Sequence, residues 1–253
     1  MSDPTPRQES GYASESACMV ANSTRREKDF DPRDTSAYTL IEAARYLKLP
    51  AATLRSWVVG RSYPKAKGVG QFHPLIRPPS RQPPVLSFWN LIEAHVLRSL
   101  RTEHGVSLQD LRKALAFAER NLKIKRLLLN EGLRTEAGQV LLEQYGRLIN
   151  LSASGQLAMR RMFDEHLKRV TWGEFQVPIR LYPFLSSASE TAARPIAIDP
   201  LIAFGRPIVV RRGVSTQAIA DRIDAGETVD QLASDYGLEP AEIEEAVLYE
   251  RAA

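Results

Sequence analysis

One cysteine in 253 residues, Cys18, leaves no second thiol for a disulfide within the chain. It sits in a polar stretch with no histidine or basic cluster to lower its pKa, so it reads as an exposed bystander. No run of 18 apolar residues occurs, which excludes a membrane-spanning helix. The N-terminus lacks the apolar core of a secretory signal. Together these predict a cytoplasmic protein. The four histidines, His73, His95, His104 and His166, lie apart, without metal-ligand spacing. A phosphate-cradling glycine loop, a Gly-x-Ser-x-Gly elbow and a Cys-x-x-Cys pair are all missing. The reading is therefore of a protein with no cofactor, no metal and no catalytic activity.

One further absence is informative. Between Glu42 and Glu93 lie 50 residues without a single acid, in a chain with 30 acids overall. The same stretch holds Arg45, Lys48, Arg55, Arg61, Lys65, Lys67, Arg77 and Arg81. A phosphate backbone favours such a stretch, because each cationic contact releases condensed counterions. The end of the chain is the reverse: residues 221–250 hold ten acids and one base, Arg222. A net charge of +4 conceals this asymmetry, which predicts one face for an anion and another for something else.

Residues 1–36 are polar, without apolar periodicity, and predict a disordered tail; Arg25-Arg26 within it is the one candidate DNA-touching arm. Order is expected from Tyr38. Thr39-Leu-Ile-Glu42 spells a capping box, and Pro50 suits the start of a second helix. Residues 60–86 contain three glycines and are rich in proline, which favours a long loop or wing over a sheet. Ser87 caps a helix, and Ser107 with Asp110 caps another. The latter carries the stripe Leu108, Leu111, Leu115, Ala118, Leu122, able to pack on its own domain or on a second copy. Gln139–Glu143 and Arg147–Leu151, around Tyr145-Gly146, read as a hairpin. Residues 153–169 read as a helix, and 170–175 and 177–184 as two strands. The domains expected are a DNA-binding domain with a trailing helix over 37–130, an α+β segment over 131–185, a linker over 186–194 and a three-helix domain over 195–253.

Both ordered ends satisfy a helix-turn-helix grid: a small residue at the helix crossing, a residue tolerating positive φ, and an apolar anchor. Ala233, Gly237 and Ile243 do so at steps of four and six, and Ala44, Lys48 and Leu54 repeat those steps, with Lys in the left-handed position at a cost of about 1 kcal/mol. Charge separates the two. The first grid is basic and predicts DNA binding. The second carries Glu239, Glu242, Glu244, Glu245 and Glu250, would be repelled from a major groove, and predicts a protein-binding or dimerising module. Trp57, Trp89 and Trp172 read as core anchors.

Tyr38-Thr39, Glu42-Ala43-Ala44 and Thr53-Leu54-Arg55-x-Trp57, followed by a wing and a helix opening at Ser87-Phe88, resemble the winged DNA-binding domain of the MerR class. The wing here is longer and more proline-rich than is usual there. Ile198-Asp199-Pro200, Gly205-Arg206-Pro207-Ile208-Val209 and Leu232-Ala233-x-x-Tyr236-Gly237-Leu238 resemble domain of unknown function 433. With Leu181-Tyr182-Pro183-Phe184 between them, the combination is similar to VapB-type antitoxins. That resemblance implies a PIN-like ribonuclease toxin as partner and autorepression at the protein's own promoter.

The fold class expected is mainly α with a small α+β middle segment: a winged helix-turn-helix domain plus a second small helix-turn-helix-like domain. The function expected is that of a homodimeric antitoxin binding its own double-stranded operator and a toxin, with no membrane partner. The alternative is a MerR-like regulator sensing a small molecule in the middle segment. Thr53, Arg55 and Ser56 on the second helix and Arg61, Lys65 and Lys67 in the wing are the candidate DNA contacts. Arg206, Arg211 and Arg212 are the candidate toxin contacts, because guanidinium pairs with the carboxylates of a nuclease site.

Overall fold

The computed structural model describes residues 31–64, 68–101, 108–148, 150, 152–174, 177–183 and 195–252. The expected tail, Cys18, Arg25-Arg26, Lys65, Lys67, Ser107, Phe184 and the 186–194 linker lie outside them, apart from the tail's last residues, 31–36. Residues Pro32–Ala253 form one compact unit. Among the described residues the architecture is mainly helical, with three small antiparallel sheets.

The first helices form as the sequence implies. Strand β1 (Tyr38–Thr39) runs into α1 (Leu40–Tyr46), whose capping box is closed in both directions between Thr39 and Glu42, an arrangement worth about 1 kcal/mol. The turn to α2 (Ala51–Val58) passes through Lys48 at φ 51°, the left-handed position expected from the grid. Residues 60–86 are not a plain loop. Strands β2 (Arg61–Pro64) and β3 (Val69–Phe72) pair as a hairpin, and β4 (Ser80–Arg81) and β5 (Pro84–Leu86) add to β1 in the order β1-β5-β4. The prolines stay at strand ends and edges, which is where the missing N–H is tolerated.

Helix α3 (Phe88–Arg101) is the central rod of the larger core. Ser87 and Asn90 cap it reciprocally. Of the expected stripe on α4 (Leu108–Leu122), Leu111, Leu115 and Ala118 are buried within the chain, with Ala114 beside them, against the neighbouring helix α5 (Glu136–Leu148), and Leu122 is half-buried, so these residues are not free to form a dimer face. Helix α5 itself corrects the expected hairpin. Ala137, Leu141 and Tyr145 recur every four residues on its buried side. Its glycines are not turn residues; a Cβ on Gly138 would lie 1.8 Å from the Leu133 carbonyl oxygen, and one on Gly146 would press on Gln156. They permit close helix packing, and the Val-Leu-Leu run beside Tyr-Gly imitated a strand and its turn.

Helix α6 (Ala153–Leu167) follows, then β6 (Val170–Trp172) and β7 (Pro178–Leu181), both shorter than expected. They continue into the last domain. Strands β8 (Ile196–Ile198), β9 (Pro207–Val209) and β10 (Val214–Ser215) complete one antiparallel sheet ordered β10-β9-β8-β7-β6. Helices α7 (Thr216–Asp224), α8 (Val229–Tyr236) and α9 (Pro240–Arg251) enclose a smaller core of Val209, Ile219, Leu232, Ile243 and Ala246. Gly237 takes the left-handed turn at φ 62°.

Two histidines far apart in sequence meet in the larger core. His95 on α3 and His166 on α6 have ring centroids 5.0 Å apart. His95 Nε2 lies 2.9 Å from the His166 carbonyl and His166 Nδ1 2.9 Å from the Met162 carbonyl. A carbonyl only accepts, so those nitrogens carry the protons. Burial holds His95 well below the usual imidazole range, reinforced by His166, Arg98 and Arg169. Burial likewise depresses His166 to about 4, against the Met162 hydrogen bond that favours its charged form. Both folded pKa values lie below the unfolded value, so the unfolded chain binds more protons as pH falls from about 6.5 toward 4. Stability should therefore drop over that window, by about 2 kcal/mol at pH 5 from His166 alone. Thermal unfolding across pH 7.5–4.5 checks this; His166→Gln should flatten the dependence whatever it does to the Tm at neutral pH.

Candidate nucleic-acid interface

The outward face of α2 is short and simple. Leu54, Trp57 and Val58 are buried, anchoring the helix, while Ala51, Ala52, Arg55 and Val59 are exposed and Thr53 is half-buried. Arg55 is thus the one long polar side chain on that face. Ser56 does not join it. Its side chain is buried and its hydroxyl donates to the Thr53 carbonyl at 2.7 Å, which withdraws it from the expected DNA contacts.

The hairpin is set against the end of α2 by the backbone. The N–H groups of Leu75 and Ile76 both donate to the Trp57 carbonyl, at 2.7 and 3.0 Å. Gly60, at φ 83°, lets the chain turn there; a Cβ would lie 2.2 Å from the Phe72 carbonyl oxygen. Across the hairpin Arg61 faces Phe72 in register, its guanidinium 5.3 Å from the ring centroid, and Tyr63 stacks on Phe72 at 4.3 Å. Arg61 is exposed. A cleft of about 350 Å³ opens beside the end of α2, lined by Val58, Val59, Ile76 and three prolines, with His73, Arg77 and Arg81 around it. Arg77 and Arg81 were not singled out as contacts from the sequence, although the acid-free run contained them. The two acids bordering that run face other tasks. Glu42 closes the α1 capping box, and Glu93 is buried, accepting from Arg126 and Asn90.

Arg45 and Lys48 leave the interface for the other end of the protein. Arg45 donates to Gln217 and lies 3.8 Å from Glu250. Lys48 donates to the Tyr249 carbonyl, and its ammonium sits 4.0 Å from the Tyr249 ring centroid. That carbonyl is among the last four of α9, which have no intrahelical donor. The Tyr249 hydroxyl donates to the Tyr46 carbonyl at 2.8 Å. Burial pushes the Lys48 ammonium down to about 8, partly opposed by Glu250.

The expected toxin contacts are divided as well. Arg211 pairs with Glu239 at 2.9 Å and Glu242 at 3.4 Å, and Arg212 donates to the Gly237 carbonyl at 3.2 Å. Both are engaged in bracing the second helix pair, α8–α9. Arg206 is exposed.

The segment that holds two helices about a left-handed residue and then a hairpin is also similar in sequence to known proteins. Residues 36–115 match the model described as "Putative DNA-binding HTH domain". The helix-turn-helix domain is joined in the same chain to residues 196–249, which match "Protein of unknown function (DUF433)". The chain is 28% identical over 232 residues to "Putative antitoxin VapB45" of Mycobacterium tuberculosis, covering 85% of this chain and 93% of that protein. It is 25% identical over 239 residues to "Uncharacterized protein Rv2308" of the same organism, covering 85% and 90%. The crystal structure of Rv2018 from Mycobacterium tuberculosis shares the fold, with a TM-score of 0.62 and 22% identity over 85% of this chain and 98% of that one.

Arg55 and Lys48 should behave oppositely on substitution. Arg55→Ala should weaken specific DNA binding by ~1–3 kcal/mol if its contact is to a base edge. Lys48→Ala should lower the Tm yet leave the salt slope of binding unaltered, because its charge is spent on α9. Fluorescence anisotropy at several salt concentrations separates the two; a flattened slope for Lys48→Ala would return that residue to the DNA face.

Proposed function

We propose that this protein is the antitoxin of a type II toxin–antitoxin pair and a non-enzymatic repressor of its own promoter. The observation that carries the reading is the likeness to "Putative antitoxin VapB45", which covers 85% of this chain and 93% of that protein. A likeness of the DNA-binding domain alone would cover only residues 36–115. The proposed partner is a PIN-like ribonuclease, and the proposed place of action is the cytoplasm; no helix among the described residues is long and apolar enough to cross a membrane.

In this reading the MerR-like helix-turn-helix domain enters the major groove through Thr53 and Arg55. The β2–β3 hairpin, acting as a wing, sets Arg61, Lys65 and Lys67 against the phosphates. Arg77 and Arg81 extend that track. Phosphate contacts supply most of the affinity, and Arg55 supplies selectivity. Two copies bind as a homodimer to half-sites about one or two helical turns apart. The α4 stripe is buried in each copy, so the dimer forms through another surface.

Co-expression with the product of the adjacent gene tests the partner. The expected outcome is a stable complex, relief of growth arrest, and protection of the upstream DNA of the operon in a footprint. Persistent growth arrest with an unprotected promoter would defeat the reading. In the DNA arm, Arg61→Ala with Arg77→Ala should weaken binding to all sequences alike and lower the salt slope by about 2.

A further inference from the structure

The cleft beside the end of α2 joins two features that a DNA contact does not need together. Its walls are apolar: Val58, Val59, Ile76 and three prolines. Its cations are Arg77 and Arg81, both exposed, and neither side chain has a hydrogen bond or ion pair among the described residues. No acid lines it. At about 350 Å³ it falls at the small end of the roughly 300–1,000 Å³ usual for small-molecule sites.

The walls are held from three helices. On α2 the Trp57 carbonyl takes the N–H groups of Leu75 and Ile76. On α3 the Asn90 amide donates to the Arg77 carbonyl at 3.3 Å. On α4 Arg112 donates to the His73 carbonyl. The far wall is braced within itself, where the Ser80 hydroxyl donates to the Pro83 carbonyl at 2.7 Å. The cleft is thus formed before anything enters it, which lowers the entropic cost of binding.

We propose that this cleft binds a small apolar anion, an aromatic carboxylate or sulfonate, and that the ligand competes with DNA for Arg77 and Arg81. Its ring lies against the aliphatic walls and its oxyanion takes the guanidinium N–H groups, a pairing that planar oxyanions make with two parallel donors. This rests on the reading of α2 and the hairpin as a DNA interface, and gives that interface a regulator. A sugar-phosphate backbone matches the arginines but not the walls, where proline offers no N–H. A helix of a second copy, the acid-rich α9 included, is about 10–12 Å across and would bridge a cleft of this size rather than fill it. A single glutamate reaching in from such a helix would meet the arginines and leave the apolar walls uncovered.

Naphthalene-2-sulfonate is the probe, with naphthalene-2-methanol as its neutral counterpart and inorganic sulfate as the anion without a ring. Calorimetric titration into the full-length chain should give one site, with both counterparts weaker by about tenfold or more. Binding of a random-sequence duplex at low salt is then read by anisotropy. Probe at ten times its own Kd should raise the DNA Kd about tenfold, and sulfate at matched ionic strength should not. Val59→Phe, which fills the cleft, should abolish probe binding and the probe's effect on DNA. Arg77→Ala with Arg81→Ala should bind the charged and neutral probes alike; these side chains are exposed, so this variant keeps its Tm even where Val59→Phe does not. Equal binding of charged and neutral probes by the original chain, or undiminished probe binding by both variants, would overturn the site. Probe binding with an unmoved DNA Kd would overturn the competition. Conversion of a dimer to monomer by the probe in sedimentation would assign the cleft to a side chain of a second copy instead. If the chain binds no duplex at all, the DNA reading falls, and the calorimetry still decides the cleft.

Discussion

The contact on which the molecule turns is the one between Lys48 and the end of α9. A lysine in a left-handed turn is a weak choice on its own. Here it is supported by an orphan helix carbonyl, an aromatic face and the nearby Glu250 carboxylate. The same contact fixes how α1 meets α2 and how the first domain meets the last. The Tyr249 hydroxyl on the Tyr46 carbonyl adds a second tie from the same residue. The second helix pair is in this way occupied: α9, its would-be reading helix, has Ile243, Val247 and Tyr249 buried.

Charge is partitioned accordingly. The acids of the last domain neutralise its own arginines, as Glu239 and Glu242 do Arg211, and Glu227 and Asp235 do Arg222. These pairs are largely exposed, so each contributes little to stability. Their effect is rather on what remains available. Arg55, Arg61, Arg77 and Arg81 are left as exposed cations near α2 and the hairpin, while the basic residues of the C-terminal turn are taken up locally.

Much of this was legible in the sequence. The Thr39–Glu42 capping box, the left-handed Lys48 and Gly237, the Ser87 cap and the α6 helix are local, and local rules found them. What escaped depended on contacts between distant segments. Gly138 and Gly146 sit inside α5 because Leu133 and Gln156 approach too closely for a Cβ, and no spacing rule reports that. His95 and His166 looked scattered until α3 and α6 were packed together. Ser56 is the local exception: its side chain is buried and its hydroxyl donates to the Thr53 carbonyl three residues back. Arg211 and Arg212 looked available because their partners lie 25 residues or more further on. The basic run, by contrast, marked a candidate interface before any geometry, since charge needs no fold to be counted.

The five-stranded sheet has a consequence for how the protein can be taken apart. Its first two strands belong to the middle of the chain and its last three to the C-terminal domain. A protease that cuts out the C-terminal domain removes three strands of that sheet and leaves β7 as a raw edge. It also strips Lys48 of its acceptor. Such a chain keeps the core built on α3 but exposes an unpaired strand edge and the side of α1–α2 that met α9. The sheet, rather than a linker, is thus what binds the middle of the chain to its end: β7 and β8 pair across it at Leu181 and Ile198.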